Sequence, residues 1–94
     1  MISVAGDQLA VSGPMTIAEA GVLASEGEAA LSEATKPAFD LSAVTELDSS
    51  SLAVVFAWMR AAKLAGKSIS ILNAPLGLLS LAEVYGVADL LPQN

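Results

Sequence analysis

Histidine and cysteine are both absent from the 94-residue sequence. Their absence excludes Ser-His-Asp and Cys-His nucleophile activation, a disulfide framework and the usual zinc ligand sets. A serine without a nearby base is a poor nucleophile, so we expect neither catalysis nor a cofactor. Asp40, Glu46 and Asp48 could supply carboxylate ligands to magnesium, but the sequence has no phosphate-binding loop and no histidine. We therefore expect no metal site.

Basic residues are scarce, because four lysines and arginines stand against ten acidic residues and leave a net charge of −6. Nucleic acids and anionic membranes both need clusters of Lys and Arg, so this balance argues against either partner. The longest uncharged stretch, 68–82, is shorter than the roughly 20 residues of a membrane span. The N-terminus has no basic segment followed by an apolar one, and we expect a cytoplasmic protein without a signal peptide.

Apolar residues, in contrast, make up 54% of the sequence and charged residues only 15%, against about 25% charged residues in an ordinary domain. The length predicts one domain, residues 1–94. A domain of this size has difficulty enclosing so much apolar surface. We expect part of that surface to contact a partner protein.

Hydrophobic periodicity and turn residues predict an alternation of strands and helices. Gly6-Asp7 joins two strands as a hairpin, Gly13-Pro14 ends the second, and Thr16 with Glu19 has the spacing of a capping box. The predicted elements are strands 2–5 and 8–12, helix 17–34, strand 38–41, a polar loop, helix 52–65, strand 68–72, helix 76–85 and a tail at 87–91. This β-β-α-β-α-β-α order is typical of an α/β fold with a mixed, mostly four-stranded sheet and helices mainly on one face.

The second predicted helix is apolar on nearly every side. We assign one stripe to the core, namely Leu52, Val55, Phe56, Met59 and Ala62. The opposite side carries Val54, Ala57, Trp58, Ala61 and Leu64. Because a small domain can hardly cover both sides, we predict that this second set contacts a partner. Trp58 is either a half-buried core residue or an interface anchor, a role that its large amphipathic ring suits. If it is an anchor, a Trp58→Glu variant should fold but lose the partner, whereas unfolding would place Trp58 in the core.

Three serines, Ser49, Ser50 and Ser51, lie where this helix begins. A helix start has unpaired N–H groups and the positive end of the helix dipole, so hydroxyl or phosphate oxygens are stabilised there. The cluster is either a plain N-cap or part of a recognition surface. The same geometry serves both readings.

The segment DLSAVTELDSSSL, residues 40–52, in this order of elements resembles the STAS domain, the fold of anti-sigma-factor antagonists. The family pattern has Asp-Leu-Ser at the end of the third strand and Asp-Ser-Ser-Gly-Leu at the start of the second helix. Asp40 and Asp48 begin the two motifs here, and Ser51 replaces the family glycine. The resemblance implies that Asp40 and Asp48 support the connecting loop. It also implies a phospho-acceptor at Ser50 or at the neighbouring Ser49.

The C-terminal segment LAEVYGVADLLP, residues 81–92, is similar to the MlaB branch of this family. Members of that branch are small cytoplasmic subunits of phospholipid-transporting ABC systems that maintain outer-membrane lipid asymmetry. The resemblance implies a non-enzymatic subunit that binds an MlaF-like ATPase, and through it the permease at the inner membrane, and supports assembly or activity. The predicted contact surface, beside part of the third helix, comprises Ser49, Ser50, Ser51, Val54, Ala57, Trp58 and Ala61.

An alternative function also follows from the family resemblance. The protein is then an anti-sigma-factor antagonist that is switched by phosphorylation of Ser50. In the absence of its partner, an exposed apolar helix would also allow the chain to form a homodimer.

Overall fold

Alternating apolar and polar residues give the central strands one buried and one solvent-facing side. In the computed structural model, which describes residues 1–92, four strands form a mixed sheet in the order β1-β2-β3-β4. The elements are β1 (Ile2–Ala5), β2 (Gln8–Met15), α1 (Ile17–Glu33), β3 (Ala38–Leu47), α2 (Ser50–Leu64), β4 (Ser70–Leu72), α3 (Leu76–Val84) and a short 3-10 helix (Ala88–Leu90). The hairpin β1–β2 is antiparallel, and β2–β3 and β3–β4 are parallel. The predicted order of elements and the α/β class are confirmed.

The core lies between the sheet and the helices. Leu9 and Val11 of β2 are fully buried, whereas Gln8, the first residue of this strand, is exposed. The largest fully buried side chains come from every layer and are Trp58, Phe39, Leu9, Met15, Leu23, Leu31, Leu41, Ile71, Leu78, Val11, Val54 and Val55. Each parallel connection carries a helix, and α1 and α2 pack side by side over the sheet.

Two strands are longer than predicted. β2 continues through Gly13 and Pro14 to Met15, because the pairing with β3 shifts register there and Gly13 adopts a φ of +86°. Such an irregularity accommodates a proline within a sheet. β3 does not end at Leu41 but runs on to Leu47, paired with the extended part of β2. The predicted polar loop is therefore mostly strand.

Both ends of α1 are held by residues that flank α2. The predicted capping box does not form, since the Thr16 side chain makes no capping hydrogen bond. Instead the N–H of Ile17 donates to Asp48 Oδ2 at 3.1 Å, and at the other end Lys67 Nζ donates to the carbonyl of Leu31 at 2.7 Å. A carboxylate at a helix start and an ammonium at a helix end both stabilise the helix through its dipole.

Within residues 1–92, no helix is both long and apolar enough to cross a bilayer.

Candidate partner-binding site

Asp48 organises the start of two helices at once. Its Oδ1 accepts the N–H of Ser50 at 2.9 Å, and its Oδ2 accepts the N–H of Ile17 at 3.1 Å. One carboxylate therefore satisfies a free N–H at the start of α2 and another at the start of α1. The two bonds fix the relative position of the two helix starts, and with it the surface around Ser49.

These hydrogen bonds make Asp48 a source of pH-dependent stability. The backbone N–H groups of Ile17 and Ser50 stabilise the carboxylate and hold the pKa of Asp48 below its usual value of 3.8. A lowered native pKa stabilises the fold above the unfolded-state pKa, and this contribution is lost as the pH falls through the native pKa. We expect Asp48→Ala to lower the thermal midpoint at pH 7, with a smaller difference from the parent protein near pH 2.

Thermal melts from about pH 2 to 7 test this prediction, because the other carboxylates are present in both proteins and cancel in the difference. Glu46→Ala is the matched control, since Glu46 is an exposed residue of β3 two positions away. A constant difference between Asp48→Ala and the parent at all pH values would contradict the assigned role of Asp48.

The three serines at the start of α2 have different environments. Ser49 is exposed and its side chain makes no capping hydrogen bond, so Asp48 rather than Ser49 supplies the cap. Ser50 is half-buried. Ser51 is fully buried, and its Oγ donates to the carbonyl of Asp48 at 2.7 Å. The prediction that Ser51 contacts a partner is therefore wrong, because its hydroxyl is used inside the fold.

Trp58 is a core residue and not an interface anchor. Its side chain is fully buried, its ring is stacked on Phe39 with centroids 4.0 Å apart, and its indole N–H donates to the carbonyl of Leu23 at 3.1 Å. Val54 is only 2% exposed. The prediction that Trp58 and Val54 face a partner is thus wrong, since α2 is rotated so that Trp58 points at the sheet. Ala57 and Ala61 are half-buried at the edge of this face, and their role stays a prediction.

The solvent-facing side of α2 is a stripe of residues three or four positions apart. It comprises Ser49, Ala53, Phe56, Arg60 and Lys63, of which Phe56 alone is half-buried and the others are exposed. This spacing places all five on one side of the helix. A signal for this face was present in the sequence, since Arg60 and Lys63 are the only charged residues of α2 and charged side chains rarely lie in a core.

Beside this stripe lies a shallow groove of about 400 Å³, lined by Ser49, Leu52, Ala53, Phe56, Tyr85 and Val87. We call it the apolar groove. Tyr85, at the C-terminal end of α3, is 59% exposed and its neighbour Val84 is 80% exposed. Sequence reasoning missed Ala53, Tyr85 and Val87, although it placed part of the third helix beside the site. A continuous apolar groove with a hydroxyl at its end is a suitable surface for another protein.

Asp40 lies away from the α2 stripe, at the end of the sheet where β4 stops. Its Oδ1 accepts the Asn73 side-chain amide at 3.0 Å and the N–H of Ser42 at 2.9 Å, and its Oδ2 accepts the Gln8 amide at 3.2 Å. The bond from Asn73, followed by those from Ser42, lowers the pKa of Asp40 below its usual value. Asp40 therefore holds the turn after β4, where Asn73 has a φ of +54°.

Across residues 1–92, no group of three or more Asp or Glu side chains is arranged to hold a metal ion.

Comparison with known proteins connects this geometry to a family. Among solved structures, the chain is similar to that of the anti-sigma factor antagonist SpoIIAA in its unphosphorylated form, with a TM-score of 0.67, 12% identity, and coverage of 88% of this chain and 80% of that chain. Identity this low shows the shared fold alone. No curated protein sequence matches the chain. The sequence model of the family described as "Mlab, STAS domain" matches residues 2–92. The protein therefore belongs to the MlaB-type STAS domain family.

Proposed function

We propose that this protein is a non-enzymatic subunit that binds the MlaF-like ATPase of a phospholipid-transporting ABC complex and supports its assembly or activity. The observation that carries the proposal is the apolar groove, whose lining joins the start of α2 to the end of α3. Membership in the MlaB-type family supports the choice of partner. Through that partner, the protein would lie at the cytoplasmic face of the inner membrane, in a system that maintains outer-membrane lipid asymmetry.

The shape and chemistry of the groove favour a stable protein contact. Among its lining residues, Leu52 is buried at 6% exposure, Ala53 is exposed, and Tyr85 adds an aromatic side chain that is 59% exposed. Stable interfaces bury an apolar centre within a polar rim, and aromatic residues often contribute most of the binding energy. Ser49 contributes a free hydroxyl at the edge, where a partner backbone or side chain can hydrogen bond with it.

A charge in the groove tests this proposal. We expect Ala53→Glu to fold normally, because Ala53 is exposed and glutamate is a good helix former, but to reduce binding to the ATPase at least tenfold. A buried unpaired carboxylate in an interface opposes docking. The measurement is co-purification of the tagged protein with the co-expressed ATPase, followed by gel filtration.

Ala29→Glu provides the matched control, because Ala29 is an exposed alanine on α1. It should retain the ATPase at the level of the parent protein. If the parent protein does not retain the ATPase at all, the proposed function is wrong. If Ala53→Glu binds as well as Ala29→Glu, the groove is not the contact surface.

The second candidate function is that of an anti-sigma-factor antagonist switched by phosphorylation of Ser50. The structural likeness to SpoIIAA favours it, as does the position of Ser49 and Ser50 at a helix start, where a phosphate is stabilised by the helix dipole. Ser50 is half-buried, however, and Ser49 is the more exposed hydroxyl. Transfer of phosphate from a serine kinase to Ser50, abolished in Ser50→Ala and retained in Ser49→Ala, would support this function over the transporter role.

A further inference from the structure

The two helices that lie side by side on the sheet carry charges of opposite sign. α1 contains four acidic residues and no basic one, whereas α2 contains Arg60 and Lys63 and no acidic one. Arg60 and Lys63 are both exposed. Among residues 1–92, neither has an acidic oxygen within 4 Å. Two exposed cations therefore have no ion-pair partner in the described part of a chain whose net charge is −6.

The helix dipole explains in part why a cation lies at Lys63, but it does not explain the cation at Arg60. Lys63 lies in the last turn of α2, where a cation is favoured by the helix dipole. Arg60 lies almost a turn earlier, where that effect has largely faded. Both also differ from Lys67, whose ammonium group is used to hold the end of α1. The charges of Arg60 and Lys63 are thus free to contact another molecule.

These cations border apolar surface that is continuous with the apolar groove. Phe56, Met59, Arg60 and Lys63 line a shallow depression of about 330 Å³, and Phe56 also lines the groove. We call Met59, Arg60 and Lys63 the basic end of α2. One side of α2 therefore presents a hydroxyl and apolar end at Ser49 and a cationic end at Lys63.

We propose that the basic end of α2 docks a carboxylate-rich surface of the ATPase, and thereby fixes the direction in which the partner lies along α2. This inference rests on the proposed function. An acidic partner surface is attracted at Arg60 and Lys63 and repelled by the four glutamates of α1. Such asymmetry accelerates association and selects one orientation. An anionic membrane is a poorer occupant, because a bilayer surface is broad and would also meet the acidic residues of this chain.

Association kinetics at two salt concentrations test the inference. We expect Lys63→Glu, and more strongly the double variant Arg60→Glu/Lys63→Glu, to lower the association rate constant with the purified ATPase by about tenfold at about 0.05 M salt. The difference should shrink to about twofold at about 0.5 M salt, where charges are screened over a few ångströms. Lys36→Glu, which makes the same charge change in the exposed connection between α1 and β3, should leave the rate within about twofold of the parent.

Three results would overturn the inference. The first is equal slowing by Lys63→Glu and Lys36→Glu, which would mean that only net charge matters. The second is that the double variant binds the ATPase normally but, unlike the parent protein, does not sediment with phosphatidylglycerol vesicles. That result would assign the basic end to lipid. The third is no binding of the parent protein to the ATPase, which would refute the proposed function as well. Thermal melts of each variant verify that it is folded.

Discussion

A Trp58→Ala variant will lose about 3–5 kcal/mol of unfolding free energy, because it removes a fully buried aromatic side chain from the core. The loss includes the stacking on Phe39 and the hydrogen bond to the carbonyl of Leu23. Whole domains are stable by about 5–15 kcal/mol, so this single substitution removes a large fraction of the total. Trp58→Glu will be worse, since a carboxylate at this position is buried without a partner. It is expected to unfold the protein rather than merely abolish binding.

Urea unfolding followed by far-UV circular dichroism measures this effect. Leu64→Ala is the control on the same helix, because Leu64 is 90% exposed and its removal should change stability by no more than about 0.5 kcal/mol. Similar urea midpoints for Trp58→Ala and Leu64→Ala would show that Trp58 does not belong to the core.

Gly27→Ala will destabilise the protein by about 2 kcal/mol or more, although alanine is the better helix former by about 1 kcal/mol. A Cβ atom at Gly27 would lie 2.5 Å from Cδ1 and from Cε2 of Trp58, and nearer still to its Nε1. The indole cannot move aside, because it is stacked on Phe39 and hydrogen-bonded to Leu23. Gly27 is therefore required for α1 to approach the ring so closely.

Gly21→Ala, in the same helix, is expected to have the opposite sign. Nothing lies within 4 Å of a Cβ atom at Gly21, so the gain in helix propensity of about 0.5–1 kcal/mol is retained. Urea midpoints of the two variants in parallel provide the test. If Gly27→Ala stabilises the protein as Gly21→Ala does, then α1 is not packed directly on Trp58.

The order of elements could be predicted from the sequence because turn residues and periodicity are local signals. Gly6-Asp7 marks a boundary that the fold retains, and α1 begins at Ile17 as predicted. The lengths of β2 and β3 could not be predicted, because each strand is extended by pairing with the other. Likewise the capping of α1 by Asp48 is a contact between residues 31 positions apart, which no short-range pattern encodes.

The prediction of which side of α2 is buried is wrong for a physical reason. Where a helix is apolar almost all round, periodicity cannot select the buried side. The two charged residues of α2 indicate its solvent side better than its many apolar ones, and Trp58 lies opposite Arg60 and Lys63. Of the predicted serine site, Ser49 is exposed beside the apolar groove, and its contact with a partner stays a prediction.

The attachment of α1 at both ends has a consequence for protein synthesis. Its interior contains two glycines, and its two ends are held by Asp48 and Lys67, which leave the ribosome later than the helix itself. A nascent chain that has emerged only as far as β3 therefore lacks both end contacts and the α2 surface on which α1 packs. The domain must acquire its first helix late, at nearly the moment when the segment after α2 emerges, and a stalled shorter chain would present α1 as an unfolded stretch to chaperones and proteases.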